Sequence, residues 1–184
     1  YSQRLWQGLR TEAPADIEYD QCGTVWVAAD EEEMAEAQRK HAYYGRFGVP
    51  TTVLDAQALQ RLEPNLRPGL AGGLLVPEDA VLYPPCAARF LMERAQKNGA
   101  QLCLGASVTA IGHGRASMSD GAALTSEIIV NATGAWASDL TCGIEIKKRK
   151  GHLVITDRYC GFLRHQLVEL GYLKSAHSVS TDSV

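Results

Sequence analysis

Apolar and polar positions alternate with shifting period along this chain, and the shifts mark out its elements. Leu5, Trp6 and Leu9 recur at helical spacing, so residues 2–13 read as a helix that ends near Pro14. Residues 22–29 (Cys-Gly-Thr-Val-Trp-Val-Ala-Ala) are rich in β-formers and read as a strand. Asp30 then offers an N-cap, and Glu31, Glu32 and Glu33 place negative charge where the helix dipole favours it. That helix runs to about Phe47 and stops at Gly48, with Pro50 beyond. Val53-Leu54 is a short strand, and Asp55 caps a further helix that Glu63-Pro64 ends.

The second half is more broken. Residues 69–83 are strand-like but interrupted by Gly72-Gly73 and Pro77. Pro84-Pro85 opens a helix to about Asn98, with Phe90, Leu91 and Ala95 on its apolar face and Gly99 as its stop. Residues 102–104 and 108–111 read as strand segments, and Ser119-Asp120-Gly121 is a turn signal between paired strands. Gly112-His113-Gly114 is a lone Gly-x-Gly and reads as a turn. Residues 127–132 read as a buried strand, 138–141 as the start of a short helix, and 150–156 as another strand. Residues 162–170 carry no decisive pattern. Strands mixed with helices throughout predict an α/β (α+β mixed) fold with a mixed β-sheet and flanking helices.

Composition narrows the function classes. The 184 residues are 46% hydrophobic, enough for one substantial core or two small ones. A formal net charge of -3 gives no electrostatic case for nucleic acid or an anionic membrane. No apolar stretch approaches the ~20 residues of a transmembrane helix. The chain starts at Tyr1 and stops in a polar tail, and we read it as a piece of a longer protein. Five dispersed cysteines suggest neither a disulfide framework nor a zinc site. They fit free thiols of a reducing cytoplasm, several of them acting as small buried hydrophobes. The histidines His41, His113, His165 and His177 share no metal-ligand spacing and read as surface or satisfied core residues, so no metal is expected.

The most informative stretch is Asn131-Ala132-Thr133-Gly134-Ala135-Trp136 behind the apolar run Ile128-Ile129-Val130. Small residues at the end of such a run expose bare backbone, against which a bulky ligand can lie. Upstream stand 74–84 (Leu-Leu-Val-Pro-Glu-Asp-Ala-Val-Leu-Tyr-Pro), a helical stretch and 99–111 (Gly-Ala-Gln-Leu-Cys-Leu-Gly-Ala-Ser-Val-Thr-Ala-Ile). Downstream stands 148–155 (Lys-Arg-Lys-Gly-His-Leu-Val-Ile). Over nearly the whole chain, that order resembles the D-amino-acid-oxidase-like family of FAD-dependent amine oxidoreductases, which includes glycine and sarcosine oxidases. Residues 149–156 and 162–169 look most like the branch of hydrogen cyanide synthase, opine oxidase and D-hydroxyproline dehydrogenase FAD subunits.

The resemblance implies a partial FAD-binding domain plus a substrate domain. Residues 1–74 would be a substrate-domain segment, 75–145 an FAD-domain segment, and 146–184 a truncated return to the substrate domain. It implies cofactor-binding roles for Val108 against the adenine and for Ala132, Thr133 and Gly134 beside the pyrophosphate and ribitol, with Trp136 ranked below them. It also implies that Lys150-Gly151-His152 stands where the family usually has Arg-Gly-Gln, on a strand close to the flavin ring. Lys150 and His152 are therefore catalytic candidates, together with Tyr83 on the connection between domains. The departure from Arg-Gly-Gln keeps their roles open. Arg46, Arg149 and Arg164 are candidate clamps for a substrate carboxylate, and the sequence does not choose among them.

The implied reaction is oxidation of an α-amino acid or secondary amine, with hydride transfer to the flavin and hydrolysis of the resulting imine. The same branch implies partner subunits and a dehydrogenase rather than an oxidase. The location expected is cytoplasmic, with peripheral attachment at the inner face of a membrane left open. The dinucleotide fingerprint of spaced glycines, with an acidic residue about 20 positions on, does not occur in the chain. We therefore expect this fragment alone to be inactive and not to retain FAD. Two other readings stay open: a non-catalytic binding or assembly module, and an FAD enzyme of the glycerol-3-phosphate dehydrogenase type.

Overall fold

A computed structural model of the chain describes residues 1–148 and 150–172. It divides into two compact units, one of residues 1–94 with 158–184 and one of residues 95–157.

The first unit is built on a four-stranded mixed sheet. Its strands are β1 (Thr24–Ala28), β2 (Thr52–Asp55), β3 (Gly72–Val76) and β7 (Gln166–Glu169), in the order β2-β3-β1-β7. β3 runs antiparallel to both β1 and β2, while β7 runs parallel to β1. The expected helices are α1 (Ser2–Leu9), α2 (Glu31–Arg46), α3 (Ala56–Leu62) and α4 (Pro84–Lys97), although α1 stops at Leu9 and not near Pro14 as expected. Asp30 caps α2 by accepting from the Glu33 N–H at 2.8 Å, and Asp55 caps α3 by accepting from the Ala58 N–H at 2.7 Å. Gly48 ends α2 in the left-handed conformation, φ 67°.

The period of two in β1 sends successive side chains to opposite faces. Val25 and Val27 pack with Leu54, Leu59 and Leu167 on one side. Ala28 and Leu74 meet Leu170 on the other, together with Met34 and Tyr44 of α2. Gly72-Gly73 does not interrupt a strand as expected. Both glycines pair within β3. A Cβ on Gly73 would overlap the Trp26 carbonyl oxygen, and one on Gly72 the Leu54 carbonyl oxygen, so the sheet closes only around bare backbone there.

The second unit holds the antiparallel meander β4 (Val108–Gly112), β5 (Arg115–Met118) and β6 (Ala123–Thr125). Its connections are the expected turns, with His113 at φ 48° and Gly121 at φ 87°. A short α5 (Ala137–Leu140) follows a 3-10 turn, Gly134–Trp136.

Four expectations fail here. Residues 102–104 form no strand, and Leu104 is 79% exposed. Residues 127–132 carry no regular structure and pair with no described strand, with Ile128 and Val130 exposed and Ile129 half-buried. Residues 150–156 also form no strand, and Leu153, Val154 and Ile155 are exposed. The common reason is that a buried strand needs neighbours at its edges and a layer on its face, and the described residues supply neither. The apolar face expected of α4 fails likewise: Leu91 and Ala95 are exposed, and the one residue that α4 buries is Ala87.

None of the cysteines forms a disulfide among the described residues. Cys22 and Cys86 are half-buried and Cys103, Cys142 and Cys160 exposed, so none is the buried hydrophobe expected. No helix among the described residues is long and apolar enough to cross a membrane. No group of metal-ligating side chains is found among them either.

Candidate functional site

The stretch at 131–136 folds around Asn131. Its amide donates to the Ala137 carbonyl at 3.0 Å and the Thr141 hydroxyl at 2.8 Å. Its side-chain oxygen accepts from the Thr133 hydroxyl at 2.7 Å and the Thr133 N–H at 3.3 Å. One half-buried side chain therefore fixes both the entry to the 3-10 turn and the start of α5. Sequence reading passed over Asn131, although an Asn two residues before a Thr is the signal for such a turn.

Gly134 follows at φ 60°, a left-handed conformation that disfavours any side chain. A Cβ placed there would meet nothing within 4 Å. Ala132, Thr133 and Gly134 are exposed, so the backbone forms an open ledge with no side chain over Gly134. Opening a helical turn also leaves its first N–H groups unused within the turn. Trp136 is 62% exposed, and the Lys148 ammonium lies 5.1 Å from its ring centroid. That cation is the nearby positive charge the ledge's own residues do not supply.

The strand of Val108 belongs to the same unit and packs against α5. Val108 is half-exposed and pairs with Met118. A cavity of about 350 Å3 joins Ile111 at the far end of β4 to Ile129, Leu140 and Thr141. Val108 and the ledge thus belong to one packed body. An open ledge with no side chain over Gly134 and a cation near Trp136 leaves room for the phosphate-bearing part of a flavin nucleotide.

The catalytic candidates are less concentrated. Lys150 and His152 lie in the second unit and are exposed, with no hydrogen bond or ion pair among the described residues. Tyr83 lies in the first unit at the start of α4, half-exposed, its N–H donating to the Ile17 carbonyl at 2.6 Å. Of the carboxylate clamps, Arg46 lines an exposed groove on α2 with Arg39 and Tyr43. Arg164 points its guanidinium at the Leu62 carbonyl, 3.4 Å away. Arg149 and His177 fall outside the described residues.

A second feature escaped sequence reading. Glu63 is fully buried, and its Oε1 accepts from the Arg164 N–H at 2.9 Å and contacts His165 Nδ1 at 2.7 Å. Its Oε2 has no partner. Asn65 adds a donor to the Phe162 carbonyl at 2.8 Å. These contacts clasp the end of α3 to the start of β7 across about a hundred residues of sequence. Neither residue carried a motif, because the pairing exists only once the chain has closed. His165 is nonetheless the satisfied histidine that the sequence suggested.

Known proteins bear on this arrangement. The chain is 28% identical over 153 residues to hydrogen cyanide synthase subunit HcnC of Pseudomonas aeruginosa, covering 78% of this chain and 37% of that one. It therefore spans little more than a third of that relative's length. The crystal structure of glycine oxidase from Geobacillus kaustophilus superposes with a TM-score of 0.64 at 29% identity, over 74% of this chain and 38% of the other. The crystal structure of L-proline dehydrogenase from P. horikoshii shares the fold, with a TM-score of 0.76 at 22% identity over 93% of this chain and 48% of that one. The family model described as "DAO: FAD dependent oxidoreductase" matches residues 1–174, and the chain belongs to that family.

Proposed function

We propose that this chain is part of an FAD-dependent oxidoreductase that oxidises the C–N bond of a small amine or amino acid. The observation that carries the reading is the open ledge at Thr133–Gly134, locked by Asn131, in a chain of this family. Bound FAD would supply the hydride acceptor. Ala132, Thr133 and Gly134 would hold it by backbone contact and the Thr133 hydroxyl, Val108 would face the adenine, and Trp136 with Lys148 would flank the ledge. Lys150 would bring positive charge and His152 a proton-exchanging side chain on the segment leading away, while Tyr83 would line the substrate pocket. The chain's part in the chemistry is to orient the amine and to exclude water.

Residues 1–74 and 146–184 are assigned to the substrate domain and 75–145 to the FAD domain. The relatives named for glycine and hydrogen cyanide support a small amino acid as substrate; a D-amino acid is the finer reading proposed. That one of them is named as a subunit supports work with partner chains; a dehydrogenase rather than an oxidase is the finer reading proposed with it. The cytoplasm is the proposed location.

The test uses Gly134→Ala in the full-length polypeptide, with the flavin-to-protein absorbance ratio as readout. The control is Gly143→Ala, which carries a similar positive φ of 82° and also has open space around its Cβ. Gly134→Ala is expected to lower bound flavin severalfold while Gly143→Ala leaves it unchanged. Equal flavin content in both variants would overturn the ledge. Turnover of glycine and D-proline, set against glycerol 3-phosphate with a dye acceptor, then reads the substrate class. A flavin-free full-length protein would instead favour the non-catalytic module.

A further inference from the structure

Helix α2 lies on the first sheet by one face, with Met34, Ala37 and Tyr44 in the core beneath it. Lys40 turns the same way, its ammonium 3.9 Å from the Trp26 ring centroid and 5.1 Å from that of Tyr44. On the other side, Glu32, Glu36, Arg39, Tyr43 and Arg46 follow at steps of three and four residues, one continuous stripe down the helix. Glu36 is half-buried and the other four are exposed. Tyr43 and Phe47 are 55% and 66% exposed, with ring centroids 5.0 Å apart. Two large aromatic rings in contact with each other and with water mark this face as a contact surface. An open cavity of about 470 Å3 lies along it, lined by Tyr43 and by the charged Glu36, Arg39 and Arg46.

The charges of the stripe are sorted along the helix. Glu32 and Glu36 occupy its first half, Arg39 and Arg46 its second, and Glu36 pairs with Arg39. A uniformly acidic or uniformly basic partner, an anionic membrane included, would be repelled by one half. A second α2 laid antiparallel to the first meets both halves. With the two-fold axis at Arg39, Glu32 of each copy falls opposite Arg46 of the other. The two Glu36–Arg39 pairs then close an alternating ring of four charges. Each Tyr43 comes over Ala35 of the other copy, where an exposed small side chain leaves room. Parallel helices would set like charge against like, so the pattern selects the orientation as well as the partner.

We infer that α2 is the contact surface of a two-fold dimer of this chain, with the two helices antiparallel and crossing at Arg39. A helix of 16 residues is about 24 Å long. One pair of such helices buries less than the roughly 1,200 Å2 at which standard interfaces begin, so the dimer is weak, with a Kd on the order of 10–100 µM. Exposed charges set the register, so salt weakens it further. The dimer needs no flavin and does not rest on the reading of the ledge.

The test is sedimentation velocity of this chain from about 5 to 200 µM at low salt, which spans the expected Kd. A concentration-dependent shift to the mass of two copies is expected, and about 0.5 M salt should weaken it severalfold. Arg46→Glu and Glu32→Lys each set like charges across the axis twice, and each alone is expected to weaken association about tenfold or more. An equimolar mixture of the two variants pairs Glu with Arg at one end and Glu with Lys at the other, and should recover the dimer. A variant that had merely lost its helix would gain nothing from mixing. Tyr43→Ala carries no charge change and should weaken association severalfold at every salt concentration. A monomer throughout the range would overturn the inference. So would a dimer that the charge reversals leave intact, which places the contact on another surface, or a mixture no more associated than either variant alone.

Discussion

Two apolar runs of similar make-up meet opposite fates in this molecule. Thr24-Val25-Trp26-Val27-Ala28 is hydrogen-bonded on both edges and covered on both faces, and Val25 and Ala28 are fully buried. Ile128-Ile129-Val130 is at least as hydrophobic, yet it has no partner strand among the described residues, and Val130 is 80% exposed. The difference teaches that apolarity proposes a buried strand, but only a neighbouring strand and a covering layer make one. Burial of β1 depends on β3 and β7, which arrive from about fifty and about a hundred and forty residues further along the chain.

Mutations can break or sharpen that contrast. The largest effect is expected from Leu74→Ala in β3, where a fully buried side chain packs with Ala28, Ala37 and Leu170. A loss of about 3 kcal/mol in urea-induced unfolding is expected, from lost transfer energy and the cavity left behind. Gly73→Ala should cost about 2 kcal/mol, because its methyl group has the Trp26 carbonyl oxygen in the way and the paired strands must part. If the glycine is there only to interrupt the strand, the melting temperature will not move. Ile128→Thr and Val130→Thr mark the other pole. Each should change stability by no more than about 0.5 kcal/mol, since the side chain is already in water. A larger loss would show that the run is covered after all, and the contrast with β1 would collapse.

Legibility in the sequence followed locality. The α2 cap at Asp30 and its stop at Gly48, the α3 cap at Asp55, the opening of α4 at Pro84, and the turns at His113 and Gly121 all depend on a few adjacent residues. All were readable. The ledge at Thr133–Gly134 was readable as a lack of bulk, because small residues announce themselves. Asn131, which holds it, was missed because its four hydrogen bonds reach both along the turn and into α5. The Glu63–His165 clasp left no local trace at all. Its partners meet only after the sheet has closed.

The amino-acid order alone therefore determined which segments are helices, where α2, α3 and α4 begin and end, and the family to which the chain belongs. Helix caps and motif order are short-range facts written in consecutive residues. Only the tertiary structure decided which apolar runs become strands, that Gly72 and Gly73 sit inside one, and that Glu63 meets His165. Those outcomes turn on hydrogen bonds and packing between residues far apart in sequence, and spacing along the chain carries no record of them.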